Sequence, residues 1–338
     1  MPQRCAPIFA VILLSWAGCT PESLSSALDA SPADDAARCQ ELTRRLGQPL
    51  RVYPSEQFLL LSAGDAETAA RTGQLLDQVS RRFHDGFAQA GFPVCRPAGK
   101  LVWVCLGSYE ALEAYGRQAD GVEVSWMDAF YSLRTNRVAV VRGGPGAAAA
   151  KGATVVQPGG TVAFGSPGAT SRPAGEGLNL QTATHELAHQ LAFNGGLQRR
   201  GLTYAFWLTE GLATNFEAET ADGVGLGRDA PLYHARLAEA KAAGRLLPLE
   251  EFVAMTQLPP GSPAQATREA YAQAWGLFHF LFDCRPDQLR SYLSASAEAP
   301  PGEPGEKELR RRFVSCFGEI GALEEEFGRF IADGAAAK

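Results

Sequence analysis

The chain has 338 residues, 46% of them apolar and 20% charged, and a net charge of -6. That length allows one large domain or two, each with a buried core. The acidic balance and the absence of a basic stripe exclude nucleic acid as an expected partner.

Arg4 gives the N-terminus a short basic start, and residues Ile8 to Gly18 are nearly all apolar. This run is too short to cross a bilayer comfortably and predicts an export signal over residues 1–19. Its end, Trp16-Ala17-Gly18-Cys19, resembles a bacterial lipobox, although Trp16 stands where an aliphatic residue is usual. The expected protein is exported to the cell envelope and membrane-anchored through a lipidated Cys19; the alternatives, an ordinary secretory signal or an uncleaved anchor, export it as well.

Export makes disulfides possible. Of seven cysteines, Cys5 and Cys19 fall in the signal, leaving Cys39, Cys95, Cys105, Cys284 and Cys316. An odd number leaves at least one outside any pair within the chain. Cys105 lies in the apolar run Leu101–Leu106 and is expected to be that one. Cys39 with Cys95 and Cys284 with Cys316 is one pairing among several.

Residues 20–48, rich in Ser, Ala, Asp and Pro, predict a tether. Residues 49–142 predict an α/β lobe. Strands are expected at Phe58–Leu61, 101–106, 129–132 and 137–141, with a turn at Thr135-Asn136. Helices are expected over 65–90, from the spacing of Leu75, Leu76, Val79, Phe83 and Phe87, and over 108–116. Residues 143–177 are dominated by Gly, Ala, Pro, Ser and Thr without an apolar period, and predict a disordered insert. From 178 to 334 the chain reads as helical, with segments at 179–194, 208–219, 231–243, 249–256, 266–283, 286–295 and 305–331. The expected fold class is α+β: a mixed N-terminal lobe, a mainly helical C-terminal lobe, and the 179–194 helix between them.

That helix carries the chemistry. It contains His185-Glu186-Leu187-Ala188-His189 and stops at Asn194-Gly195-Gly196. Residues four apart share a helix face, so His185 and His189 can grip one metal ion. Glu186 sits beside that face, where it can take a proton from a water activated by the ion. A third histidine six places after His189 is missing, since Gly195 stands there. A glutamate on a following helix is the other common solution, and Trp207-Leu208-Thr209-Glu210-Gly211-Leu212-Ala213 supplies Glu210. Two histidines and one carboxylate leave a zinc ion one further position, as in a catalytic site. No cysteine spacing supports a thiolate site.

These two stretches, with Thr184 before the first and Gln190 after it, resemble the gluzincins, the thermolysin-like zinc metallopeptidases of the peptidase MA superfamily. They are most similar to uncharacterised bacterial members with an α/β lobe ahead of the zinc helix. The resemblance implies that His185, His189 and Glu210 bind Zn2+, that Glu186 is the catalytic base, and that the substrate is a peptide or protein. It also points to Tyr271 as the group stabilising the transition state, with His279, two helical turns later, as the alternative; His234 and His84 read as ordinary histidines. In this superfamily an exposed strand pairs with the substrate, and residues 128–132 or 137–141 look like that element, unless both are interior strands. One departure stands out: thermolysin-type enzymes carry Asp four residues after the ligand glutamate, and here that position is Thr214. Another group must then orient the imidazole. Two readings compete with the peptidase: a non-catalytic zinc-binding surface module, and a zinc amidase acting on a cell-wall substrate.

Overall fold

The computed structural model describes residues 50–124, 127–142, 153–157, 160–165, 178–217, 230–259, 261–300, 302 and 304–336, with 37, 40–44 and 47 before them. The expected signal, Cys19 and Cys39 lie outside these residues. Part of the expected tether is structured: residues 40–44 are helical and Leu42 is buried.

The fold is α+β, as expected. Strands β1 (Arg51–Pro54), β2 (Phe58–Ser62), β3 (Leu101–Leu106), β4 (Ala129–Ser132), β5 (Arg137–Val141), β6 (Ala153–Gln157) and β7 (Gly160–Gly165) form one sheet in the order β1-β2-β3-β5-β4-β7-β6. β2, β3 and β5 are parallel neighbours; the other pairings are antiparallel. Helix α1 (Ala66–Gln89) connects β2 to β3, and α2 (Tyr109–Tyr115), extended by a π-helical turn over Gly116–Asp120, connects β3 to β4. Then come α3 (Leu180–Asn194), α4 (Phe206–Thr214), α5 (Pro231–Ala242), α6 (Leu249–Phe252), α7 (Ala264–Cys284), α8 (Pro286–Ala297), α9 (Glu306–Phe317) and α10 (Ile320–Ala336). No helix among the described residues is long and apolar enough to cross a membrane.

The central strands are apolar throughout because both sheet faces are covered. Successive side chains alternate between two cores. Trp103 and Cys105 join Phe58, Leu60, Val138 and Val140 against α1, α3 and the C-terminal helices. Val104, Leu106, Leu61 and Ala139 turn the other way, onto Leu112 and Tyr115 of α2 and onto Val122 and Val124. α1 starts where Asp65 accepts a bond from the Thr68 amide, a helix cap.

Three expectations change. The 143–177 stretch contains a hairpin, β6–β7, and β7 pairs with β4. Its Thr154-Val155-Val156 and Thr161-Val162 runs are β-branched, a local preference that the surrounding Gly and Ala obscure. The 305–331 helix is two helices, broken at Gly318, whose φ of 90° no helix accepts. The helix expected over 208–219 begins at Phe206 and ends at Thr214.

The cysteine pairing is also corrected. Cys284 and Cys316 are both free thiols, and so is the buried Cys105, as expected. Cys284 is exposed at the end of α7, whereas Cys316 is half-buried on α9.

Candidate metal centre

Helix α3 lies against the sheet and is buried along nearly its whole length. Asn179 caps its start. Specific polar contacts set its position on the sheet. The Trp103 indole donates to Gln190 Oε1 over 2.9 Å, and Gln190 Nε2 donates to the Asn136 carbonyl over 2.9 Å. Asn136 and Asn194 exchange side-chain bonds of 2.8 and 2.7 Å. Asn136 occupies the turn expected between β4 and β5 and has a left-handed φ of 57°, which asparagine tolerates better than most residues. The turn thus serves as an anchor for the helix.

Among the described residues, one group of side chains could hold a metal ion: His185, His189 and Glu210. His185 Nε2 and His189 Nε2 lie 3.1 Å apart. Glu210 Oε2 is 3.3 Å from the first and 3.8 Å from the second. Ion–ligand bonds of about 2.0–2.2 Å in a tetrahedron place ligand atoms roughly 3.4 Å apart. The three observed edges bracket that value, so the triangle fits a small divalent ion without rearrangement.

Burial supports the same assignment. All three side chains are at most 1% exposed. Neither Glu210 oxygen accepts a well-formed hydrogen bond, and a buried carboxylate without one is costly. Burial lowers the pKa of His189 well below the usual value, helped by His185 beside it, so His189 is neutral with a lone pair to give. At His185 burial also works against the charged form, but the carboxylates of Glu210 and Glu217 outweigh it and raise the pKa well above the usual value. The pocket therefore favours a positive charge at its centre.

Glu217 is the residue that sequence reasoning missed. Its Oε1 lies 2.8 Å from His185 Nδ1, and its Oε2 accepts the Tyr233 hydroxyl over 2.7 Å. A carboxylate at Nδ1 fixes the ring and the tautomer, leaving Nε2 free to bind an ion. Thr214 cannot do this, because its hydroxyl bonds back to the Glu210 carbonyl over 2.7 Å. Asn215 is also committed elsewhere, donating to the Gly211 and Trp275 carbonyls. The only sequence signal was a glutamate soon after the third ligand. It lies past the end of α4, where helical spacing no longer says which way a side chain points. Replacing Glu217 by Gln should weaken metal affinity roughly 10- to 100-fold, as typical for such outer partners; competition against a chelator measures this. Unchanged affinity would mean that Glu217 does not support the site.

Glu186 is fully buried beside the cluster, and its Oε2 accepts the Tyr131 backbone amide of β4 over 2.9 Å. Tyr271 on α7 also reaches the site. Its ring is 6.3 Å from that of His185, and its buried hydroxyl has no hydrogen-bond partner. Burial, then the charges of Glu210 and Glu186, raise its pKa well above the usual value, so it keeps its proton.

His279 does not reach the cluster. It stacks on Trp275 at 5.3 Å and lies 3.5 Å from Asp283. His234 packs edge-on against Trp275. His84 is structural, with its ring nitrogens at the Ser80 and Cys95 carbonyls. Of the two readings left open for residues 128–132 and 137–141, the structure shows interior strands: β5 lies between β3 and β4, and β4 lies between β5 and β7.

No curated protein matches the chain. Over residues 179–303, a stretch that begins at the cap of α3 and holds His185, Glu186, His189, Glu210, Glu217, Tyr233 and Tyr271, the chain is similar to a family described as a protein of unknown function (DUF1570).

Proposed function

We propose that this protein is an exported, zinc-dependent metallopeptidase of the gluzincin type. The observation that carries the reading is the buried triangle of His185 Nε2, His189 Nε2 and Glu210 Oε2 with the Glu186 carboxylate clamped beside it. Two imidazoles and one carboxylate at tetrahedral spacing suit zinc and leave one further position for a reactant. A zinc ion bound there supplies Lewis acidity to a peptide carbonyl and to water.

The chain's own groups do the rest. Glu186 removes a proton from the attacking water and delivers it to the amide nitrogen as the C–N bond breaks. The products are a carboxylate and an amine. The Tyr131 amide keeps the Glu186 carboxylate aimed during this transfer. The Tyr271 hydroxyl donates to the carbonyl oxygen as that atom gains negative charge. Glu217 and Tyr233 hold the His185 ring in place.

The deciding experiment is metal analysis of the folded protein together with digestion of a broad peptide library. Stoichiometric zinc and zinc-dependent cleavage are expected; correctly folded protein that takes up no metal would end the reading. Tyr271→Phe should lower kcat roughly 10²- to 10³-fold with little change in KM. An unchanged kcat would remove Tyr271 from the mechanism.

Attachment to a membrane through Cys19 rests on the N-terminal sequence alone. Incorporation of labelled fatty acid that disappears on Cys19→Ala is the expected result; equal labelling of both proteins would refute it.

A further inference from the structure

β4 presents the candidate site with a particular edge. In an antiparallel ladder, alternate residues direct both backbone groups to opposite sides. Toward β5, the Val141 amide donates to the Asp128 carbonyl over 3.0 Å. Asp128, Phe130 and Ser132 therefore bond toward β5, and Ala129 and Tyr131 point the other way. The Tyr131 amide on that second edge is the one that reaches Glu186. An extended peptide pairing with β4 there would pass directly beside the metal-ligand cluster.

That edge is already taken. β7 lies along it, with Phe130 opposite Gly165, Tyr131 opposite Phe164 and Ser132 opposite Ala163. We propose that β7 is a displaceable strap: Ala163–Gly165 occupies the place of a substrate main chain, and must leave β4 before a peptide can bind. This inference rests on the peptidase reading above.

Two observations support displacement. β7 is held to β4 by three register pairs, against five at each of β2–β3 and β3–β5. Among the described residues the sheet ends at β6, the hairpin partner of β7, so the two strands can leave β4 together without breaking their own pairing. Hydrolysis of long peptides should then be limited by strap opening, whereas metal uptake, which involves α3 and α4, should not be.

A disulfide staple tests this. Ser132 and Ala163 are register partners at a position not bonded across the β4–β7 ladder, where Cα atoms approach to about 4.5 Å and a disulfide can form. In the zinc-loaded Ser132→Cys, Ala163→Cys variant, oxidation should cut kcat/KM for a long peptide at least tenfold (an order-of-magnitude expectation) and reductant should restore it. Wild type and both single variants should ignore the redox state. Zinc content should be equal in both forms. Phe164→Pro, which removes the β7 amide opposite Tyr131, should lower KM for the same peptide.

A staple confirmed by mass that leaves hydrolysis unchanged overturns the strap alone. If the staple fails to form, an unchanged or raised KM in Phe164→Pro overturns it. If wild type and every variant bind zinc but cleave no peptide, the peptidase reading fails and the strap with it.

Discussion

Glu186→Gln should leave the protein folded and zinc-loaded while lowering kcat by roughly 10²- to 10⁴-fold, the usual contribution of a general base. The substitution isolates one property. Glutamine matches glutamate in size, and its carbonyl oxygen can still accept the Tyr131 amide. The amide group cannot take a proton from water at neutral pH. Glu186 is not one of the three residues in the ligand triangle, so metal content should be unchanged. Peptide hydrolysis and metal analysis on the same preparation check both halves. A fully loaded Gln variant cleaving at the wild-type rate would remove Glu186 from catalysis.

Gly211→Ala is expected to damage the candidate metal centre although residue 211 is not one of its three side chains. A Cβ at Gly211 would sit 2.4 Å from the Ala274 carbonyl oxygen and 2.9 Å from Phe278 Cβ. The first is a backbone atom of α7, so no side chain can move aside, and α4 must shift as a body. Overpacking of this kind costs about 1–3 kcal/mol. The shift is applied next to Glu210, whose Oε2 must stay within 3.8 Å of both imidazole nitrogens. Lower Tm and weaker zinc affinity should appear together. A variant with wild-type values of both would show that α4 and α7 pack less closely than described. The same contact explains why Gly follows the ligand in Trp-Leu-Thr-Glu-Gly: it lets α4 cross α7 closely enough to bring Glu210 and Tyr271 into one pocket.

Strands β2 to β5 and helices α1 and α2 were legible because their apolar runs are bounded by clear breaks, as at Asp65 and Gly91, whereas the largely exposed β1 has no such run and was not foreseen. The β6–β7 hairpin was not. Its β-branched residues are few and lie among glycines and alanines, and pairing with β4 is a tertiary contribution that no local pattern announces. The choice between Tyr271 and His279 was likewise undecidable from spacing. Both fall on roughly one face of α7, but eight residues of helix rise about 12 Å. Only the position of α3 along α7 shows which of the two stands level with the ligands. His279 was left to stack on Trp275.

For this protein the sequence alone pointed to the three side chains of the candidate metal cluster. Four-residue spacing on a helix puts His185 and His189 on one face whatever the rest of the chain does, and Glu210 followed from the chemistry that such a pair requires. Tertiary structure decided how those ligands are held and reached. Glu217 comes to His185 from beyond a helix end, Glu186 is clamped by a strand 55 residues away in sequence, and β7 covers the edge beside it. Each of these depends on how separate elements are brought together, and a local periodicity carries no information about that.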